Sequence, residues 1–486
     1  MEMNNVILIV GSGVWGVFTA YHLAKTVPRC RIILMERSTW ARQSGPSVDV
    51  NKIIRVEYED PTYLQLAVRA QNVWRQHSFW PQFYHPAEKL TVGELESQKR
   101  IYAQMHQMGI TDGARFLSIP ETKQRYPDLQ GMAFHDLEET YLNPDSGWAD
   151  GTRALKQTID ECVKLGVEQL HATASRILFD DKGDCLGVLT DEGDVVTATC
   201  TIIAAGAHTP KLLADSAPGR KGFHVEDRLM ASGCVEAVVK LTAEQHSDMN
   251  NLPITIHDIG PIYGEVLPPN HEGHLKFASE STFLNTVYHP ESRQRIFVPP
   301  ATDQITMSMK EESRRICSDI FGAESQGWEL ESYRICWDSF AHDGSWIISP
   351  VATAKYLYLA TGGSFHSWKF FPILGELVCA MLDGTLDAPL QQKWHWDRDM
   401  GGGDGEVDKK PEREWRDLVD EMVDDGDGKW GGGGKRLGGS CGVESLIGSN
   451  GGNVDGDGDG KPWCGLVQGW KGSLQLVEPG AGACCV

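Results

Sequence analysis

Five consecutive apolar residues, Val6 to Val10, are followed at once by Gly11, Gly13 and Gly16. An apolar run of this length ending in a glycine turn predicts a strand buried on both faces. From Val14 to Ala24 apolar positions recur at helical spacing, and Arg31 to Glu36 reads as a second strand. Strand, glycine turn, helix and strand in this order open a parallel α/β sheet. Helices are predicted from Pro61 to Ser78, with Leu64, Ala67, Val68 and Trp74 on one face, and from Arg153 to Leu165. Strands are predicted at Val167–His171, Arg176–Phe179, Cys185–Leu189 and Thr201–Ala205, then at Val235–Leu241 and Leu275–Ala278. Tyr356 to Ala360 is another buried strand, leading through Gly362-Gly363 into a helix from Phe371 to Leu382.

From about Gly401 this patterning stops, and Gly and Asp dominate. Such a stretch cannot bury enough apolar surface to offset its ordering entropy. Disorder is predicted from Asp425 onward, with Glu412 to Val423 as one short helix. The run Asp455 to Gly460 opens like a calcium loop, but position twelve is Leu466 where a Glu is needed, so it reads as low complexity.

The 486 residues suffice for two domains and an appendage. The formal net charge of −22 argues against a nucleic-acid partner or an anionic membrane surface. Part of that acid lies in the Gly/Asp-rich stretch. Twelve scattered Cys without a CxxC pair argue against a disulfide framework or a metal site and fit a reducing compartment. No apolar run approaches a membrane span. Met1 to Val10 lacks a secretory leader's layout, and Ala483 to Val486 is neither a peroxisomal tripeptide nor a prenylation box. A cytoplasmic location is expected.

Gly11-Ser12-Gly13-Val14-Trp15-Gly16 fits the G-x-G-x-x-G dinucleotide fingerprint. Gly11 allows the turn, Gly13 lets backbone approach a pyrophosphate, and Gly16 lets helix pack on strand. The helix N-terminus offers N–H groups and a positive dipole end to phosphates. Glu36, followed by Arg37, ends the next strand at the spacing of the acid that holds a ribose hydroxyl. The alternative is a glycine turn without ligand. The fingerprint alone does not separate FAD from NAD.

Three further segments accompany it: Ser47-Val48-Asp49-Val50-Asn51-Lys52-Ile53-Ile54-Arg55, Arg334-Ile335-Cys336-Trp337-Asp338, and Thr361-Gly362-Gly363-Ser364-Phe365-His366-Ser367-Trp368-Lys369. In this order the set resembles the monomeric sarcosine oxidase family, with its fructosyl amino acid oxidase (amadoriase), L-pipecolate and saccharopine oxidase relatives. The resemblance runs from about Ile7 to Arg398 and implies a D-amino-acid-oxidase-like fold. The expected class is α/β plus β: a Rossmann-type FAD domain of discontinuous segments (1–88, 148–226 and 334–398), an inserted α+β substrate domain (89–147 and 227–333), and a largely disordered tail (399–486). It further implies covalently held FAD, a secondary or N-substituted amine as substrate, O2 as acceptor, and a monomer.

The resemblance assigns roles residue by residue. Cys336 matches the cysteine that forms a thioether to the flavin 8α-methyl, the other reading being a buried structural thiol. Lys276 matches the lysine above the flavin ring, where a fixed cation lowers the barrier to O2 reduction; a strand-end surface lysine is the alternative. Lys52 matches the position approaching from the other side, beside Asn51. Arg55 and Lys369 match the clamp on a substrate carboxylate. Glu280 stands where sarcosine oxidase has His and the amadoriases have Glu, suited to a hydroxyl or second cationic group. Arg55 is thus sarcosine-like and Glu280 amadoriase-like, which a larger N-substituted amino acid with a polar arm reconciles. Gly206, within Ile202–Pro210, and Gly362, Gly363 and Phe365 match backbone positions touching FAD, and His208 reads as a turn histidine. The amadoriases' Trp-Arg-Trp-Arg type segment is here Trp394-His395-Trp396-Asp397-Arg398, with Asp397 in place of the Arg. The implied reaction is hydride transfer from a C–N carbon to flavin N5, then O2 to H2O2. Its rivals are a biosynthetic tailoring oxidase whose imine is trapped by cyclisation, a colourless NAD-dependent dehydrogenase, and an inactive flavin-binding or interaction protein.

Overall fold

The computed structural model describes residues 5–38, 45–110, 113–226, 228–259, 263–301, 304–399 and 413–420. The Gly/Asp-rich stretch from 421, including the run at 455–460, lies outside the described residues.

The opening apolar run becomes the strand Val6–Val10 at the centre of a six-stranded sheet. Across that sheet the order is Ile347–Pro350, Leu357–Thr361, Cys200–Ile203, Val6–Val10, Arg31–Glu36 and Glu168–His171. All neighbours are parallel except the first pair. The helix Val14–Thr26 crosses one face and packs against the helix Phe371–Asp383. The latter is apolar nearly all round because it is enclosed on every side. Asp60 caps the helix Pro61–Gln76, accepting from the N–H groups of Thr62 (2.8 Å) and Tyr63 (3.2 Å), with Pro61 pre-set in the first turn.

A second, eleven-stranded sheet stands beside it. Leu229–Lys240, His274–Ser279, Gly264–Val266, Ile254–Asp258, Tyr84–Gly93, Glu139–Ala149 and Lys52–Ile54 follow one another across it, and Leu330–Ala341 pairs with Leu229–Lys240. The expected domain boundary at 333/334 falls inside Leu330–Ala341, and Lys52–Ile54 also joins this sheet. Segments expected in the nucleotide domain therefore carry strands of the other one, because a long strand keeps its ladder partners along its whole length. The helices Leu95–Gln107 and Met307–Phe321, and the strands Tyr84–Gly93 and Glu139–Ala149, were not foreseen from periodicity. Among the described residues no helix is long and apolar enough to cross a membrane.

The expected short helix in 412–423 is realised as Trp415–Asp420, preceded by a two-residue strand, Arg413–Glu414, on the edge of the larger sheet. Trp415 is buried against Phe283 and Trp337, with ring centroids 5.8 and 6.2 Å away. Arg413 pairs with Glu312 at 2.9 Å. The chain expected to be tail from 399 thus includes a strap that anchors on the sheet, because one Trp buries enough apolar area to hold it. Trp415→Ala is expected to lower stability by about 3 kcal/mol, seen as a lower urea midpoint at unchanged slope; an unchanged midpoint would show that the strap contributes nothing.

Candidate functional site

At the C-terminal edge of Val6–Val10 the glycine turn opens on a cavity of about 650 Å³. Gly11, Ser12, Gly13, Val14, Trp15, Glu36, Arg37 and Gly206 all line it. Gly11 has φ 109°, and a Cβ there would lie 2.3 Å from the Ala204 carbonyl oxygen. Gly16 lies beneath the turn rather than on the cavity; its Cβ would lie 1.8 Å from the Gly11 oxygen, so only glycine lets helix and turn meet. Glu36 accepts from the Ser12 N–H (3.0 Å) and Ser12 Oγ (2.8 Å), which aims the carboxylate across the turn. Ser47 Oγ accepts from the Val14 N–H at 3.0 Å, as an anionic oxygen at a helix N-terminus would. His208 also lines the cavity, and burial, then Arg37, lowers its pKa to about 4, so it is neutral near pH 7. The bare backbone of Gly206, with open space where a side chain would stand, completes a cradle that fits a dinucleotide.

Beyond the cradle lies a buried charge cluster that the motifs did not reveal as one unit. Asp49 is its centre. Its carboxylate receives Lys52 Nζ at 2.7 Å, Lys276 Nζ at 2.8 Å and Arg334 at 3.3 Å. Lys276 also donates to the Asn51 carbonyl at 2.9 Å, while the Asn51 side chain donates to the Pro268 carbonyl. Glu236 bonds Arg334 and stands 3.9 Å from Lys276. Burial opposes ionisation of Asp49, but the three cations override it and hold the carboxyl well below its usual range. Burial likewise opposes charging of Lys276 and Lys52, and Asp49 beside them raises both. The two lysines expected at a flavin are thus fixed cations on one carboxylate. Cys336 is buried at the same place, close enough to interact with Lys52 and Arg334.

Arg55, Glu280, Lys369 and Phe365 together line a larger cavity of about 1510 Å³, whereas Lys52, Lys276 and Cys336 do not line it. Arg55 and Lys369 converge on Tyr58, 4.8 and 5.5 Å from its ring centroid. Lys89 and Glu57, which sequence reasoning missed, form a buried ion pair at 2.9 Å on the same wall, and Glu280 interacts with Lys89. Arg398 donates to Asp343 through Nε and Nη2 at 2.7 and 2.8 Å, while Asp397 pairs with Arg228. The residue standing in place of the family's Arg is therefore held in an ion pair of its own.

The turn between the two cavities is backed by Asp338 and Ser339. The N–H groups of Gly362 and Gly363 donate to Ser339 Oγ at 3.0 and 3.2 Å, and the Phe365 N–H donates to Asp338 at 2.8 Å. Gly362 and Gly363 thus support the turn, while Phe365 faces the larger cavity. Burial pushes the Asp338 carboxyl up to about 6 despite those donors. Ser364 and Phe365 adopt left-handed φ values of 48° and 57°, a local strain of the kind that collects at functional turns. Behind them His366 stacks on Trp346 at 5.6 Å. Its Nε2 meets the Gly344 carbonyl at 3.1 Å, so Nε2 carries the proton and Nδ1 accepts from the Tyr58 hydroxyl at 3.3 Å. Burial, then Lys369, holds His366 far below its ordinary pKa.

The missed residues left only a faint signal. Ser47 and Asp49 lie inside a motif already singled out, but the Asp49 partners Lys276 and Arg334 are more than 200 positions away. Glu57 yields a pH prediction. Burial would raise its carboxyl, yet Lys89 and Arg55 hold it at about 2. A depressed carboxyl contributes stability that is complete above the unfolded value of 4.5 and is lost as pH falls through about 2. Tryptophan fluorescence is expected to show acid unfolding setting in below pH 4.5, with Glu57→Gln flattening part of that dependence.

Comparison with known proteins shows the family and the fold. A family model described as FAD dependent oxidoreductase matches residues 7–381. The chain is similar to L-saccharopine oxidase of Schizosaccharomyces pombe, 25% identical over 446 residues that cover 87% of this chain and 98% of that protein. It is 32% identical to human peroxisomal sarcosine oxidase over 210 residues, covering 42% of this chain and 51% of that one. A crystal structure of a thermally stable fructosyl peptide oxidase mutant superposes with a TM-score of 0.74 at 23% identity, covering 85% of this chain and 98% of that one, and so shares the fold.

Proposed function

The chain belongs to the FAD dependent oxidoreductase family, and from that premise we propose that it oxidises the C–N bond of a secondary or N-substituted amino acid with O2 as acceptor. The observation that supports this reading is that Arg55, Lys369 and Glu280 line one cavity, while Lys52 and Lys276 are held as cations on Asp49. When bound, FAD supplies a hydride acceptor at N5 and returns the electrons to O2 as H2O2.

The residues of the chain do the rest. The glycine turn, Glu36 and Gly206 hold the dinucleotide. Arg55 and Lys369 hold the substrate carboxylate and orient the adjacent carbon. Glu280 receives the polar arm of the N-substituent. The aromatic wall of Tyr58, Trp346 and Phe370 excludes water around Lys369. Lys276, charged on Asp49, presents fixed positive charge where O2 becomes negative. Cys336 is the attachment point for the flavin.

The test is an H2O2-release screen over sarcosine, pipecolate, saccharopine, N-methyl amino acids and fructosyl amino acids. At least one is expected to release peroxide. Arg55→Met and Lys369→Met should each lower kcat/KM for that substrate by about 10- to 100-fold, the size of a lost charged hydrogen bond. A yellow protein that neither releases peroxide nor bleaches anaerobically with any of them would sink the oxidase reading in favour of an inactive flavin binder. Acid precipitation tests attachment: a yellow pellet is expected, and a colourless one under a yellow supernatant excludes it.

A further inference from the structure

Cys336 has a partner that no motif announced. It stands on Leu330–Ala341, and the residue directly opposite on Leu229–Lys240 is Cys234. Opposed residues on antiparallel strands place their side chains on the same face, with Cα atoms about 4.5 or about 5.5 Å apart. Both spacings lie within the range that a disulfide spans. Both cysteines are free thiols, and Cys336 opposite together with burial holds the Cys234 thiol well above its ordinary pKa. They are 7% and 3% exposed, sealed in the sheet beside the charge cluster. Lys52 interacts with both sulfurs, and Arg334 with that of Cys336. Positive charge therefore stands where negative charge gathers as a sulfur attacks an electrophile. A single buried thiol would be inert; two in register form a pair that a two-electron oxidant can join.

We propose that Cys234 and Cys336 form a reversible disulfide when peroxide reaches them before Cys336 has been joined to flavin, so that Cys234 governs whether the attachment point is available. The chemistry needs one peroxide and no other reactant. The Cys336 sulfur attacks one peroxide oxygen, the O–O bond breaks, and a sulfenic acid and water result. The Cys234 sulfur then attacks the sulfenic sulfur, the S–S bond forms, and the S–OH oxygen leaves as a second water with the thiol proton. Two thiols are oxidised by two electrons, and one H2O2 is reduced to two waters. A dithiol reductant reverses the step. The disulfide rests on strand register; its effect on cofactor attachment rests on the reading of Cys336 given above.

The test uses the full chain, produced under riboflavin limitation so that part of it lacks flavin. It is treated with hydrogen peroxide, alkylated with iodoacetamide and mapped by mass spectrometry without reduction. In the flavin-free share, the Cys336 peptide is expected to pass from alkylated to linked with the Cys234 peptide, and to return on dithiothreitol. FAD added after peroxide is expected to attach to about tenfold less protein than before, with dithiothreitol restoring it. In Cys234→Ser or Cys234→Ala the linked peptide disappears and peroxide carries Cys336 on to sulfinic acid, so that dithiothreitol no longer rescues attachment. The proposal is overturned if the wild-type Cys336 peptide stays alkylatable, or goes directly to sulfinic acid. The attachment reading fails separately, if no Cys336 peptide of untreated protein carries the flavin mass.

Discussion

Asp49→Ala is expected to lower the unfolding free energy by about 3–5 kcal/mol, the cost of stripping the counterion from a buried charge. Asp49 is the only residue bonded to all three of Lys52, Lys276 and Arg334 among the described contacts. Glu236 remains, but it reaches Arg334 and only distantly Lys276. Removing Asp49 therefore leaves the buried Lys276 with only Glu236 at 3.9 Å, and the half-buried Lys52 without its carboxylate. The double variant Asp49→Ala/Lys276→Met is expected to be less destabilised than the two single effects summed, since one orphaned charge has been removed with its partner. Urea unfolding of the four proteins of this cycle decides it. Additive losses would mean that the cluster is not electrostatically coupled.

Lys276→Met is expected to slow reaction of the substrate-reduced enzyme with O2 by about 10²–10³-fold, the range lost when one preorganised charge is taken from a developing negative one. Anaerobic bleaching by substrate should change far less, because the proposed carboxylate ligands Arg55 and Lys369 line a cavity that Lys276 does not. Stability should also survive, since Asp49 keeps Lys52 and Arg334. Stopped-flow measurement separates the two half-reactions. Equal losses in both would make Lys276 a structural residue rather than the group beside O2.

The two predictions differ in how visible their residues are in the chain. Lys276 stands in a motif that resembles a known family, whereas Asp49 stands inside another with no indication of what it binds. Arg55 and Lys369 are each singled out by that resemblance as expected carboxylate ligands. That both approach the same Tyr58 ring is not legible in the chain, because 314 positions separate them and two sheets must pack to bring them together. The strap at Arg413–Asp420 shows the opposite failure. Its surroundings are Gly/Asp-rich, and local composition hides a single Trp whose receiving pocket is made by Phe283 and Trp337.

What the chain declares on its own is whatever local chemistry dictates. Val6–Val10 must be buried, Gly11 and Gly16 must be glycine, Asp60 must cap a helix, and the glycine turn with Glu36 lies within the first 36 residues. Only the tertiary structure decides that one carboxylate serves three cations, that Glu57 and Lys89 pair in the larger cavity, and that Cys234 faces Cys336. The reason is physical. Turns, caps and apolar periodicity are set by neighbours within a few residues, whereas buried ion pairs and strand register depend on which distant segments share a dry interior. There the Coulomb attraction of each charge is strong and its desolvation is costly, so its partners are chosen by the packing of the whole sheet.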